Sequence, residues 1–207
     1  MGRIAERGQF LFFSQKMATF KPLDVGAVKE SVAMEDTEIL QIYDNGNREE
    51  AFSFIVRKYG ERLYWTIRRM VLVHEDADDC LQNAFLKAWK SLSSFRRDSG
   101  LYTWLYRIAV NETITFLSRK KILPDDGAVA ETLSGDSYFD GSAAQTLLQQ
   151  AIAQLPPVQK AVFLLRYYEE MSYKDMEQVL GSTEGSLKAS YHHAYNKIVD
   201  YIKWKTN

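Results

Sequence analysis

Residues 172–201 read SYKDMEQVLGSTEGSLKASYHHAYNKIVDY, and their pattern decides the fold. Ser172 precedes Tyr173-Lys174-Asp175, an N-cap with an acid three residues on, which opens a short helix. Met176, Val179 and Leu180 point inward, and Gly181 is suited to the left-handed position that ends a helix. Ser182 or Thr183 caps the next helix, in which Leu187, Tyr191, Ala194, Ile198 and Tyr201 repeat at steps of four and three as a buried stripe. Ser186, Lys188, Ala189, Ser190, His192, His193 and Lys197 are left on the other faces. Small residues permit close approach to a duplex, and Lys, Ser and His supply donors to phosphates and base edges, so the pair reads as a helix-turn-helix. A plain helical hairpin with a solvated face is the competing reading.

Upstream, Val158, Ala161, Val162 and Leu165 form one apolar stripe on a helix that runs to about Tyr168 and starts at the break Pro156-Pro157. A further helix near 143–153 completes a second block, 142–205. The first block, 36–121, carries helices near 36–45, 48–73, 76–92 and 101–120. Residues 122–141, acidic and rich in turn formers, read as a flexible linker. Residues 1–35 read as a disordered leader, one that a start at Met17 or Met34 would shorten. No strand pattern stands out. The expectation is an all-α protein of two small helical domains.

Composition bounds the rest. The 207 residues, 46% hydrophobic, suffice to bury a core. One cysteine, Cys80, excludes a disulfide framework, and three histidines give no metal-ligand spacing, so a reducing cytoplasm fits and no metal or other cofactor is expected. No apolar run is long enough for membrane insertion. Glu75, Asp76, Asp78 and Asp79 form no spaced acid/base pair, no partnered nucleophile appears, and no Gly-rich loop could cradle a phosphate, which argues against an enzyme and a small-molecule substrate. A net charge of −1 hides two basic islands: Arg96, Arg97, Arg107, Arg119, Lys120 and Lys121 in one, Lys188, Lys197, Lys203 and Lys205 in the other. Two such islands suggest two DNA-touching surfaces.

On the third helix Asp78, Leu81, Gln82, Phe85 and Trp89 share a stripe; on the fourth, Trp104, Ile108, Asn111 and Thr115 do, flanked by Tyr102, Tyr106 and Arg107. Aromatic stripes are commonly core, yet a basic, aromatic surface also suits unstacked bases.

Residues 76–89, DADDCLQNAFLKAW, with Phe95 and then residues 102–111, YTWLYRIAVN, resemble region two of RNA polymerase sigma factors of the extracytoplasmic-function group. Residues 155–167, LPPVQKAVFLLRY, with residues 171–175, MSYKD, and the final helix, resemble their region four. The resemblance implies that Asp78, Asp79, Gln82, Phe85 and Trp89 dock on core RNA polymerase. It implies that the loop from Phe95 to Leu101, including Arg96, Arg97 and Ser99, together with Tyr102, Trp104, Arg107 and Asn111, opens and reads the downstream promoter element, and that Ser186, Lys188, Ser190, His192 and Lys197 read the upstream element as duplex. It also implies a membrane-linked anti-sigma partner. Residues 187–194, LKASYHHA, are similar to the version found in Bacteroidetes members. Asn83, Thr115, Ser118, Glu177 and Leu187 depart from the family pattern, leaving an ion pair of the fourth helix and the packing of the helix-turn-helix open. The rivals are a stand-alone helix-turn-helix regulator and an adaptor that uses the aromatic stripe for protein contacts alone.

Overall fold

In the computed structural model, residues 34–120 and 142–206 are described; the expected linker, and all but the last two residues of the expected leader, lie outside them. Every regular element among the described residues is helical: α1 (Asp36–Asp44), α2 (Arg48–Met70), α3 (His74–Ser91) followed by a single 3₁₀ turn (Leu92–Ser94), α4 (Leu101–Lys120), α5 (Ala143–Ala153), α6 (Pro157–Tyr167), α7 (Tyr173–Leu180) and α8 (Glu184–Thr206). The chain divides into two compact units, one ending at Glu61 and one beginning at Arg62.

In the first unit, α1 begins with a capping box in which the Glu35 N–H donates to Glu38 Oε2 at 3.0 Å. Ile39, Ala51, Phe52 and Ile55 are fully buried, and Lys58 Nζ bonds Asp36 Oδ1 at 2.7 Å.

In the second unit, α3 packs along α4, and two ion pairs tie them: Lys87 with Glu112, and Lys120 Nζ with Asp76 Oδ2 at 2.5 Å. Thr115 and Ser118 donate to the backbone carbonyls of Asn111 and Ile114, so the ties of the fourth helix come from other residues than those the family pattern led one to look for. Cys80 is buried, and burial pushes its thiol up to about 12, which keeps it protonated and inert.

The helix-turn-helix forms by the local chemistry its sequence prescribes. Ser172 Oγ accepts from the Asp175 N–H at 3.1 Å and its own hydroxyl donates to Asp175 Oδ2 at 2.6 Å. Gly181 adopts φ 67°, ψ 24° and its N–H closes on the Glu177 carbonyl at 2.9 Å. Pro157 opens α6 at its first turn, where a missing N–H costs nothing. α8 packs against α5, α6 and α7; Leu187, Ala194 and Ile198 are buried, while Tyr191 and Tyr201 are half-buried at the edges of the stripe.

One expectation needs correction. Val158 is 47% exposed, whereas Lys160 is only 6% exposed. Residues 160–165 are all buried, so the middle of α6 is enclosed on every side, while Val158 near its start and Arg166 and Tyr167 at its end are exposed. Burial draws the Lys160 ammonium from its ordinary 10.5 down to about 8. Below that value the charge is carried in the folded core and destabilises it; as pH rises from about 8 toward 10.5 the folded state loses the proton first and the penalty fades. Lys160→Met is therefore expected to raise stability at pH 7 by on the order of 2–3 kcal/mol, a gain that shrinks in urea titrations repeated toward about pH 10.

Candidate nucleic-acid and polymerase interface

The N-terminal half of α3 presents a continuous acidic face. Asp78 and Asp79 are exposed, Gln82 and Trp89 are half-buried, and His74 sits one turn before Asp78 at 3.7 Å. Partial burial holds the Asp78 carboxyl above its usual range, with His74 opposing the effect and Asp79 and Glu75 adding to it. Phe85 does not reach this face: it is 1% exposed, and with Leu81 it forms the core beneath it. Phe85, expected on the docking surface, thus lies buried on the side of α3 that packs along α4.

Between α3 and α4 the loop exposes Arg96 and Arg97 and half-buries Phe95 and Ser99. Arg97 takes φ 63°, a conformation uncommon for a side-chain-bearing residue and frequent where a loop is shaped for use. Phe95 lies on Trp104 with ring centroids 5.0 Å apart. Trp104 is 7% exposed and Tyr106 2%, so both are packed, and the surface of α4 is built by Tyr102, Arg107 and Asn111. Trp104, expected to act on the downstream element directly, is buried, and its ring lies against Phe95 at the root of the loop.

On α8, Ser186, Lys188, His192 and Lys197 are exposed and Ser190 is half-buried, all clear of the buried stripe. Lys188 Nζ bonds Glu184 Oε2 at 3.0 Å and lies 5.5 Å from the Tyr173 ring, and the His192 ring bonds Asn196 at 3.1 Å. The helix start is held by a residue that the sequence marked only as a departure. Glu177 Oε1 accepts from the Glu184 N–H at 2.6 Å, so the carboxylate of α7 caps the first N–H of α8 and complements its positive end. Glu177→Ala is expected to cost about 1 kcal/mol in thermal or urea unfolding, the loss of a good cap.

α7 and α6 also pack against α4. Asn111 Nδ2 donates to the Arg107 carbonyl at 2.8 Å and to the Val179 carbonyl at 2.9 Å, which places the asparagine expected to read DNA under the helix-turn-helix. Arg69 pairs with Glu169 from the turn between α6 and α7. No periodic signal marks these contacts.

Two family models match the chain: sigma-70 region 2 over residues 55–122 and sigma-70 region 4 over residues 145–198. The RNA polymerase sigma-H factor of Pseudomonas aeruginosa is 30% identical over 180 residues, covering 79% of this chain and 92% of its own. The chain belongs to the sigma-70 family. Within it, this sigma factor falls in the extracytoplasmic-function group: the ECF RNA polymerase sigma factor SigW of Bacillus subtilis is 32% identical over 160 residues, 70% of this chain and 84% of that one. Its helical architecture is also that of the sigma factor RpoE solved in complex with the anti-sigma factor NepR from Bartonella quintana, at a TM-score of 0.54 and 22% identity, covering 73% of this chain and 96% of that one. The sigma factor is thus a transcription initiation factor that directs core RNA polymerase to promoters. Among its described residues no helix is long and apolar enough to cross a membrane, and no group of three or more metal-ligating side chains comes together.

Proposed function

We propose that this sigma factor meets core RNA polymerase through Asp78, Asp79, Gln82 and Trp89 on α3, reads the downstream element through residues 95–101 with Tyr102, Arg107 and Asn111, and reads the upstream duplex through Ser186, Lys188, Ser190, His192 and Lys197. The observation that carries the reading is the separation of chemistries on the surface: exposed carboxylates on α3, exposed guanidiniums on the loop before α4, and exposed lysine, serine and histidine at the start of α8. Phe85 and Trp104 act from beneath, as packing for the two surfaces of the first block. The functional division is into residues 36–121 and 142–205, with 122–141 as linker.

A base that leaves the stack loses stacking energy, which an aromatic side chain can replace, and the guanidiniums of Arg96, Arg97 and Arg107 neutralise the strand's phosphates. The helix-turn-helix needs no melting, because base edges are legible in the major groove of intact duplex. The cytoplasm is the compartment proposed for the factor, and the similarity of residues 187–194 to the Bacteroidetes version supports a kinship with those members of the group. The structural relative from Bartonella quintana is bound by an anti-sigma factor, and a partner of that kind is proposed here too.

The test is co-elution of the purified full chain with bacterial core RNA polymerase, followed by promoter binding with and without core. Stoichiometric association, and duplex binding that strengthens on adding core, is the expected result. Tight duplex binding without any association would instead favour the stand-alone regulator. Within the holoenzyme, Lys188→Ala and Lys197→Ala are each expected to lower the slope of log affinity against log salt by about 0.9, read by anisotropy on duplex promoter DNA.

A further inference from the structure

We propose that Arg62, Trp65 and Arg69 form a subsite for single-stranded DNA, taking a backbone phosphate on the guanidiniums and a base against the indole, and that Glu169 fills this subsite when α7 lies on α4. The proposal rests on the reading of α4 as the downstream-element surface.

Positions 62, 65, 66 and 69 share one face of α2. With Glu169 they line a cavity of about 320 Å³. Arg62 is exposed and stacks over the Tyr102 ring at 3.9 Å, so the cavity is continuous with a side chain of α4 already assigned to the downstream strand. Trp65 is half-buried on the cavity wall, its ring set edge-on to Tyr64. Indole and guanidinium side by side suit an unstacked base, whose face a duplex would not offer.

Glu169 enters from a braced turn. Tyr168, before it, lies 5.8 Å from Arg69 and is held by Gln149 Nε2 at 2.9 Å. Glu170, after it, takes φ 51°, and Arg166 Nη1 holds the Glu170 and Met171 carbonyls at 3.3 and 3.2 Å. The turn thereby delivers one carboxylate to one guanidinium. Both side chains are mostly withdrawn from solvent. The carboxylate therefore sits in a partly dry, cationic cleft where a phosphate would make the same charge-assisted bonds. Beneath it the Tyr106 hydroxyl is buried, and burial, with the Glu169 carboxylate adding to it, pushes its pKa up. Asn111 is engaged by Val179 across the same packing of α7 on α4, so strand entry and release of the second block are one event.

The experiment is fluorescence anisotropy of the full chain with a labelled oligothymidylate of about 20 nucleotides, a length that spans more than one such site, over a salt series. Glu169→Gln, which keeps size and removes charge, is expected to tighten binding about fivefold or more. Arg69→Gln and Arg62→Gln are each expected to weaken it and to lower the salt slope by about 0.7, while Arg69→Lys keeps the slope. Circular dichroism establishes that each variant is folded, and Arg62→Gln, at an exposed position, stands in should Arg69→Gln unfold. Unchanged affinity in Glu169→Gln, or wild-type slopes in the folded arginine variants, overturns the proposal. Arg107→Ala on the same oligonucleotide tests the α4 reading separately: a loss there without change at Arg62, Arg69 and Glu169 overturns the cleft alone.

Discussion

Asp79→Lys combined with Gln82→Ala is expected to lower the affinity of the sigma factor for core RNA polymerase by more than about 100-fold while leaving its thermal unfolding close to wild type. Asp79 is exposed and Gln82 half-buried, so neither substitution opens a cavity. Charge reversal in an acidic face proposed to dock on core RNA polymerase removes the charge complementarity that such a face supplies, which costs several kcal/mol when it becomes like-charge contact, and about 100-fold corresponds to about 2.7 kcal/mol. Asp79 lies beyond the first turn of α3, where the acids are Glu75 and Asp76, so the helix dipole adds little to the change. Competition with wild type for limiting core, read by size exclusion, measures the effect; retention of binding in the folded double variant would move the polymerase surface elsewhere.

Phe85→Ala is expected to cost about 3–5 kcal/mol in urea unfolding. Its ring is 1% exposed between α3 and α4, and truncation leaves a void that the packed neighbours close only in part. A loss of polymerase binding in this variant would then follow from lost fold. Phe85→Leu, which keeps most of the volume, should restore most of both properties. Comparison of the two variants separates a docking side chain from a core one, since a contact made by the ring itself would not be rescued by leucine.

Much of this architecture was legible because it is local. Ser172, Gly181 and Pro157 act on the backbone within a turn of themselves, and their places at helix ends follow from hydrogen-bond bookkeeping and φ angles alone. The exposed residues of α8 were legible for a related reason: five apolar positions define the buried stripe and leave the rest outside. Phe85 and Trp104 were not, since periodicity groups residues on a stripe without saying which partner the stripe meets. Lys160 shows the same limit more sharply, because a charged residue in an amphipathic pattern is assigned to solvent, and only the enclosure of the middle of α6, residues 160–165, overrides this. Glu169 and Arg69 are 100 positions apart and Asn111 and Val179 are 68, and no repeat length connects either pair. Glu177 fell between these cases: the sequence flagged it as unusual, and the reason lies seven residues away, in the N–H that it caps.

That cap sits at the pivot of a lever. α8 has 23 residues and, at about 1.5 Å of rise per residue, reaches about 34 Å from the Glu184 N–H to its far end. A tilt of about 10° at the pivot would carry Lys197, about 20 Å along, through roughly 3.5 Å, more than the length of a hydrogen bond. The aim of α8 is therefore set jointly by the Glu177 cap at its start and by the packing of Leu187, Ala194 and Ile198 on α5, α6 and α7, and a small change in either would be felt furthest along the helix, at Lys197 and beyond.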